Sequence, residues 1–496
     1  MTETTRARYR FGPLERRGVI LGLRPGQIAA VGIAVVLVVI LLRSSSGSLG
    51  LPLAVLTVIA AFAFAFVPIA GRSVEEWSPI AVRYLARRVT GGHRYVSHAP
   101  LVGRVAGDPA AHAPLPQALG SLEILAAPVQ GGTLGVAKDS RAGTYTAVLA
   151  TRGRSFVLLD PSDKARRLAA FGAVLKGLAR ESGVVSRVQL LERTLPDDSD
   201  GVMRYMADAA ALPPASEPYQ AYAQLIEDAG AATQAHEACV ALTVDARRAS
   251  RAIRLAGGGD QGACTVLARR LTSLTTELQA GEVMVTGVLT PRLLAESMRL
   301  AFDPAARAQL AARAAQYPQS AGTAPANAWP MATETNWDTY RTDSAWHATY
   351  WISELPRVDV GPDWLVALLL QTTVPRTVAV TMEPIPPLRS HRDIEHARIA
   401  DMTDESLRQR HGFRTSFRKL REAENAERRE QELADGYADF RFSAYITVSA
   451  PSAEELELAC GEVEQRANEC ALDLRRMNGE QDEAFTYTLP LGRGLR

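Results

Sequence analysis

Ile28-Ala29-Ala30-Val31-Gly32-Ile33-Ala34-Val35-Val36-Leu37-Val38-Val39-Ile40-Leu41-Leu42 decides how the rest of the chain is read. It contains only Ile, Val, Leu, Ala and one Gly, and no charge occurs from Pro25 to Leu42. At about 1.5 Å per residue the charge-free stretch covers roughly 27 Å, close to a hydrocarbon core of about 30 Å. Arg24 and Arg43 bracket it and can reach the interfaces. A second charge-free stretch runs from Ser44 to Gly71, with its apolar core at Leu49–Ala70. Pro52 falls in the first turn of that core and Pro68 in the last, where proline does least harm. Small polar residues at Ser44–Ser48 make the turn between them. A cleaved signal peptide would begin nearer the start, with no second span directly behind it. A helical pair buried in a soluble core would show a polar face. The pattern predicts a transmembrane hairpin over residues 26–71.

Arginine sets its orientation. Arg6, Arg8, Arg10, Arg16, Arg17 and Arg24 precede the first span, the turn has Arg43, and Arg72, Arg83, Arg87, Arg88 and Arg94 follow the second. The positive-inside rule places both chain ends in the cytoplasm, making this a multi-pass protein of the cell membrane.

The remaining length of the 496 residues exceeds one core, so two or three soluble units are expected. Hydrophobic residues at 47% and charged residues at 22% argue for folded rather than disordered chain. A formal net charge of +1 supplies no field to gather nucleic acid, and no sequence-specific nucleic-acid binding is expected. Cys239, Cys264, Cys460 and Cys470 lack the spacing of a zinc knuckle or redox pair and read as free thiols in a reducing compartment.

After a basic N-terminus (1–25) and the hairpin (26–71), residues 72–120 read as a juxtamembrane amphipathic helix, Val74–Val89, and a linker, Ala99–Pro116. A first α/β lobe (121–302) is predicted from strands at Ser121–Val129, Thr133–Lys138, Thr144–Ala150 and Ser155–Asp160, then a helix Asp163–Glu181 and a strand Val184–Thr194. Asp197–Pro218 reads as a loop. Tyr219–Gly230 is helical, His236–Asp245 a strand, Ala263–Leu278 a helix, Glu282–Leu289 a strand and Pro291–Phe302 a helix with Pro at its first turn. Residues 303–343 read as a helix fading into a linker. The second lobe (344–496) is predicted from a strand Ser344–Leu355, a helix Asp363–Gln371, a strand Arg376–Glu383, a stiff break at Glu383–Pro387 and a charged helix Arg389–Asp435. A strand Asp439–Ala450, a helix Ser452–Met477 and a last strand Ala484–Leu491 complete it. The simplest architecture is an α+β membrane protein, its two-helix hairpin followed by tandem ferredoxin-like α/β lobes.

No segment carries recognisable chemistry. Gly257-Gly258-Gly259-Asp260-Gln261-Gly262-Ala263-Cys264-Thr265 imitates a phosphate loop. A true loop needs Lys and Ser/Thr after the second glycine, and Ala263-Cys264 stands there. His391 and His396 are five apart and diverge on a helix, so they do not make an i, i+4 metal pair. No nucleophile elbow is present. No catalytic, cofactor or metal residue is therefore assigned, and the chain is expected to be non-enzymatic. The charged run Glu422–Glu432 reads as a solvated helix face.

The opening Tyr9-Arg10-Phe11-Gly12-Pro13-Leu14-Glu15-Arg16-Arg17-Gly18, with the hairpin behind it, resembles PrgI-type proteins of conjugation systems, as found in actinobacterial secretion-like clusters. Trp351-Ile352-Ser353-Glu354-Leu355-Pro356, Glu383-Pro384, Asp439-Phe440-Arg441-Phe442 and Ala484-Phe485-Thr486-Tyr487-Thr488-Leu489-Pro490-Leu491-Gly492 are similar to the non-motor half of the type IV secretion ATPase. The resemblance implies an oligomeric scaffold in the lipid bilayer, beside other membrane components, that docks a separate P-loop secretion ATPase in trans. It implies docking through Phe485, Tyr487, Leu489, Pro490 and Leu491. An alternative resemblance is to the EccE-type component of type VII secretion, which also places a cytoplasmic α/β part behind two spans. A membrane-bound enzyme with a cryptic site is the reading from a different class.

Overall fold

The computed structural model describes residues 25–44, 50–69, 72–97, 115–129, 131–153, 156–180, 183–196, 200–230, 234–386, 389–390, 392, 431–432 and 437–495. The basic N-terminus, the turn at 45–48, most of the 99–116 linker, His391, His396 and nearly all of the Arg389–Asp435 helix lie outside these residues. The chain divides into two compact units, one made of Pro13–His93 with Ala400–Arg414, the other of the remainder.

The smaller unit holds α1 (Pro25–Ser44), α2 (Gly50–Phe66), a two-residue pair of strands, β1 (Pro68–Ile69) and β2 (Arg72–Ser73), and α3 (Val74–Val89). α1 contains Gly26–Arg43, long and apolar enough to cross a membrane and almost wholly unburied. α2 has 17 residues and stops at Phe66, short of the expected Ala70. Pro68 accounts for that, because it pushes Val67 out of helical geometry and opens β1. Gln27 Nε2 donates to Ala65 O at 3.0 Å, so α1 begins beside the end of α2. A Cβ at Gly26 would meet Glu75 Oε1 at 1.9 Å, so the start of α3 lies there too. α3 covers the residues predicted for it.

The larger unit is built on one sheet of 13 strands. Its strands are β3 (Arg94–Val96), β4 (Leu122–Val129), β5 (Gly132–Asp139), β6 (Thr144–Arg152), β7 (Val185–Pro196), β8 (Gln234–Asp245), β9 (Met284–Val288), β10 (Ala332–Thr335), β11 (Tyr340–Thr342), β12 (Ala345–Glu354), β13 (Arg376–Ile385), β14 (Asp439–Ala450) and β15 (Asp473–Arg476). They lie in the order β3-β10-β11-β12-β14-β13-β7-β8-β6-β5-β4, with β15 on β12 and β9 on β6. All pairings in the sheet are antiparallel. The two predicted lobes are thus joined into one sheet by β7 and β13, in register from Arg376↔Thr194 to Met382↔Val188.

Several boundaries differ from the expectation. Within the strand expected at Ser155–Asp160, Phe156–Leu158 instead makes a 3₁₀ turn before α4 (Pro161–Arg180). The loop expected at Asp197–Pro218 contains α5 (Asp200–Ala209), where Met206 buries one face, and α6 (Glu217–Gly230) follows. Then come α7 (Ser250–Leu255), α8 (Gly259–Ala280) and α9 (Pro291–Phe302). In the stretch expected as a helix fading into a linker, α10 (Arg307–Gln316) is the helix, and the linker carries β10 and β11. After α11 (Val366–Leu370), the break expected at Glu383 is absent. β13 continues to Ile385, and Pro384 is tolerated because β7 pairs only as far as Met382, leaving one side of the strand free. α12 (Ala453–Glu469) ends earlier than Met477, giving way to β15. The last predicted strand is instead α13 (Gln481–Phe485) and a 3₁₀ turn, Thr486–Thr488.

Alternating residues on β7 and β13 separate the two faces of the sheet. On one face Val188 and Leu190 pack with α4 and α8 through Val174, Leu178, Leu267, Leu271 and Leu274. Val378 lies on this face too, with Leu456, Ala459 and Val463 of α12 and Leu368 of α11. On the other face Leu191 and Ala379 pack with Leu294, Met298 and Phe302 of α9 and with Phe485, Leu489 and Leu491. Strands covered on both faces are buried residue after residue, as in Ser443–Ala450 of β14.

Candidate functional site

The five residues named for docking lie inside the fold. Phe485, Leu489, Pro490 and Leu491 are buried and Tyr487 is half-buried. Phe485 stacks at 5.2 Å from Phe302, 5.3 Å from Tyr340 and 4.7 Å from His347. In this structure they form no exposed surface. The Ala484–Leu491 sequence shows alternating apolar residues, but the same residues also satisfy a helical turn. Burial of Phe485 and Leu489, four apart, selects the turn.

The C-terminal segment is held to the sheet by polar groups. Gln189, fully buried on β7, donates through Nε2 to Tyr487 O at 2.8 Å. Its Oε1 accepts from Leu491 N at 3.1 Å and Gly492 N at 2.9 Å. Arg187 donates to Gly492 O at 2.9 Å, Thr381 to Arg493 O at 2.9 Å and Tyr445 to Gly494 O at 2.6 Å. Thr447 and Thr488 share a bond of 2.7 Å, Thr146 and Thr243 one of 2.8 Å, and Thr349 and Thr447 one of 2.9 Å. A buried strand residue such as Gln189 gives no sign in the sequence of the distant backbone it serves.

Arg493 completes this attachment. It pairs with Asp139 and donates to Ala118 O at 2.8 Å. Burial alone would raise the Asp139 carboxyl; the Arg493 guanidinium, with donors from Ala142 and Ser121, outweighs it and holds the group below the usual carboxylate range.

The glycine-rich stretch has a packing explanation. Gly257, Gly258 and Gly259 have φ of 107°, 73° and 56°, the left-handed region that favours glycine. A Cβ on Gly262 would lie 2.4 Å from Ile253 O, so this glycine lets α7 and α8 approach. Asp260, in the first turn of α8, accepts from Lys138 at 2.6 Å and Tyr145 at 2.7 Å. Those bonds, Lys138's first, hold its carboxyl below the ordinary value.

His347, which the sequence did not single out, is fully buried between Thr342 Oγ1, 2.7 Å from Nε2, and Ser449 Oγ, 2.8 Å from Nδ1. Thr342 donates onward to Phe302 O, so its oxygen accepts from the ring and Ser449 donates to it. Burial pushes the His347 pKa down to about 3, leaving a neutral ring fixed as a structural link. All four cysteines are free, and burial pushes each thiol up, away from the thiolate that nucleophilic or metal chemistry needs. Among the described residues no group of three or more His, Cys, Asp or Glu is placed to hold a metal.

The anchor is the feature with a functional geometry. Along α1, Ile33, Val35, Val36, Leu37, Val39, Ile40 and Leu42 are exposed, and along α2 so are Leu51, Leu53, Val55, Leu56, Val58, Ile59 and Phe62. Of the two, α1 is long and apolar enough to cross a membrane, and α2 is a shorter apolar helix.

Comparison with known families places residues 232–352 against the model described as EccE, putative type VII ESX secretion system translocon. The matched residues take in β8 through most of β12, with α7 to α10 between them, and amount to less than half of the chain. No match was found among curated proteins. The match overturns the resemblance to PrgI-type and type IV conjugation proteins and, with it, the type IV scaffold function. The opening motif Tyr9–Gly18 lies outside the described residues; the others fall on β12, β13, β14 and the buried segment from α13 to Gly492, elements that a packed α/β fold needs anyway. Where this chain can be compared, it is similar to a type VII secretion translocon component.

Proposed function

We propose that the chain is a membrane-anchored, non-catalytic component of a type VII secretion translocon. The observation that carries this reading is the EccE match over residues 232–352, which falls within the sheet unit. The candidate span Gly26–Arg43 supports the anchoring. In this reading α1 and α2 both cross the bilayer as a hairpin, since the start of α1 lies against the end of α2 and both carry exposed apolar surface. Arginines before α1 and after α2 then put both termini on the cytoplasmic side. The sheet orders β9-β6-β8-β7 and β15-β12-β14-β13 support two ferredoxin-like lobes fused edge to edge, each a split βαβ with its helices on one face. Partners are the other membrane components of the apparatus. Ala263-Cys264 in place of Lys-Ser/Thr supports a scaffold without nucleotide chemistry of its own.

Deleting the gene and measuring export of type VII substrates tests the function. Export should stop and return on complementation with the full chain; undiminished export in the deletion overturns the proposal. Reporters active on one side of the membrane, fused at residue 1, in the 45–48 turn and at residue 496, test the topology. An externally active reporter at residue 496 rules out the hairpin orientation.

A further inference from the structure

We infer that α3 is a lipid-binding helix, whose apolar face enters the bilayer surface and whose arginines select anionic headgroups. The inference rests on the membrane-anchored reading above. α3 buries Ile80 within its unit and leaves Val82, Leu85 and Val89 exposed at 68%, 63% and 81%. Their spacing of three and four puts them on one helix face. At 100° per residue, Arg88 borders that face, Arg83 lies further round on the other flank, and Arg87 lies opposite, on the side of Ile80. Arg88 is steadied by Tyr84, whose hydroxyl accepts from Nη1 at 2.9 Å. Both acids of the helix, Glu75 and Glu76, are in its first turn, and no acid follows up to Val89. The exposed half therefore pairs an apolar face with arginines and carries no acid of its own.

The occupant follows from what adjoins this face. α3 belongs to the same compact unit as α1 and α2, whose apolar surfaces are exposed along their length. It starts where α1 begins and α2 ends, against Gly26. If α1 spans the bilayer, that point is the membrane–water boundary, where an amphipathic helix with basic flanks lies in the interface plane. A water-facing helix would instead turn Arg83, Arg87 and Arg88 outward and bury Val82, Leu85 and Val89. Anionic lipid is favoured over neutral lipid because each arginine near the surface adds attraction that a zwitterionic headgroup does not supply.

The test is amide hydrogen exchange of the full chain in nanodiscs of phosphatidylcholine, with and without phosphatidylglycerol. Residues 81–89 should exchange about tenfold more slowly with the anionic lipid. The combined variant Arg83→Gln, Arg87→Gln, Arg88→Gln should erase that difference. The variant Val82→Ser, Leu85→Ser, Val89→Ser should speed exchange in both discs. Exchange at 81–89 that is the same in both compositions, with residues 28–42 protected, overturns this inference while leaving the anchor standing; this is also the result a protein partner on the face would give. Unprotected 28–42 in either disc overturns the anchor itself, and the inference with it.

Discussion

The two faces of the sheet are covered by different chemistry. The helical face is closed mainly by leucines and valines of α4, α8 and α12, with a few side-chain links such as Tyr145 to Asp260 of α8 and Tyr350 to Glu464 of α12. The opposite face has an apolar patch under α9, but along the C-terminal segment it is a row of Thr, Gln and Arg side chains bonded to backbone. The difference follows from what each cover brings. A helix satisfies its own backbone and offers only side chains. A segment with irregular backbone brings N–H and C=O groups that must be met by the surface beneath it. Apolar packing tolerates some rearrangement, whereas a buried polar row is either complete or costly.

The contrast is sharpest where the apolar side is cut. Leu267, fully buried on α8, should lose about 3–5 kcal/mol of stability as Leu267→Ala, read from the shift of the denaturant midpoint at constant slope. A loss below about 1 kcal/mol would mean that the helical face is less tightly packed than described. On the other face Gln189→Leu strands Leu491 N, Gly492 N and Tyr487 O. We expect a loss of about 2–4 kcal/mol and, unlike the leucine variant, faster protease trimming from the C-terminus. Trimming at an unchanged rate would show that the segment is held by Phe485 and Leu489 alone.

The pH response divides the faces again, because the buried histidine lies on the polar one. The folded His347 pKa of about 3 lies below the ordinary 6.5, so the unfolded chain takes up the proton first. The stabilisation is complete above about pH 6.5 and is lost as pH falls from there towards about 3. Stability should therefore drop by about 2 kcal/mol from pH 7 to pH 5, and His347→Asn should flatten that interval. A flat native profile would sink the assignment. The Asp139–Arg493 pair acts at lower pH: a depressed carboxylate contributes above the ordinary carboxylate pKa and is lost as pH falls through its folded value. The smallest effect belongs to the threonine pairs. Thr447→Val leaves Thr488 and Thr349 each short of a partner and should cost about 1–2 kcal/mol by thermal unfolding.

How much of this the sequence revealed depends on the range of the interaction. α1, α3 and α9 are local patterns of charge, spacing and proline, and their extents can be read directly from them. Most strands were visible because alternation and β-branched residues mark them. What could not be read was pairing: nothing in Val185–Pro196 or Arg376–Ile385 says that they are neighbours, so the joining of the two expected lobes into one sheet was not foreseen. The site was less legible still. The docking reading of Leu489 and Leu491 comes from the resemblance alone, and their packing with Ala241 and Leu191 shows them as interior. At Gly262 the sequence excludes a phosphate loop through Ala263-Cys264 but gives no reason for the glycine, which the closeness of Ile253 O supplies.

The C-terminal attachment also sets an order of events during synthesis. Gln189 bonds residues 302 and 303 positions further along, and Asp139 meets an arginine 354 positions away. While the ribosome is still translating, β7 and β8 can pair and the helical face can close, but the polar face has nothing to cover it. The emerging chain therefore carries an open, hydroxyl-rich sheet surface until residues 487–494 are made. Contacts of such separation form slowly, and intermediates with uncovered sheet are prone to associate. Completion of the sheet unit is then a late step, at which chaperone dependence would be greatest.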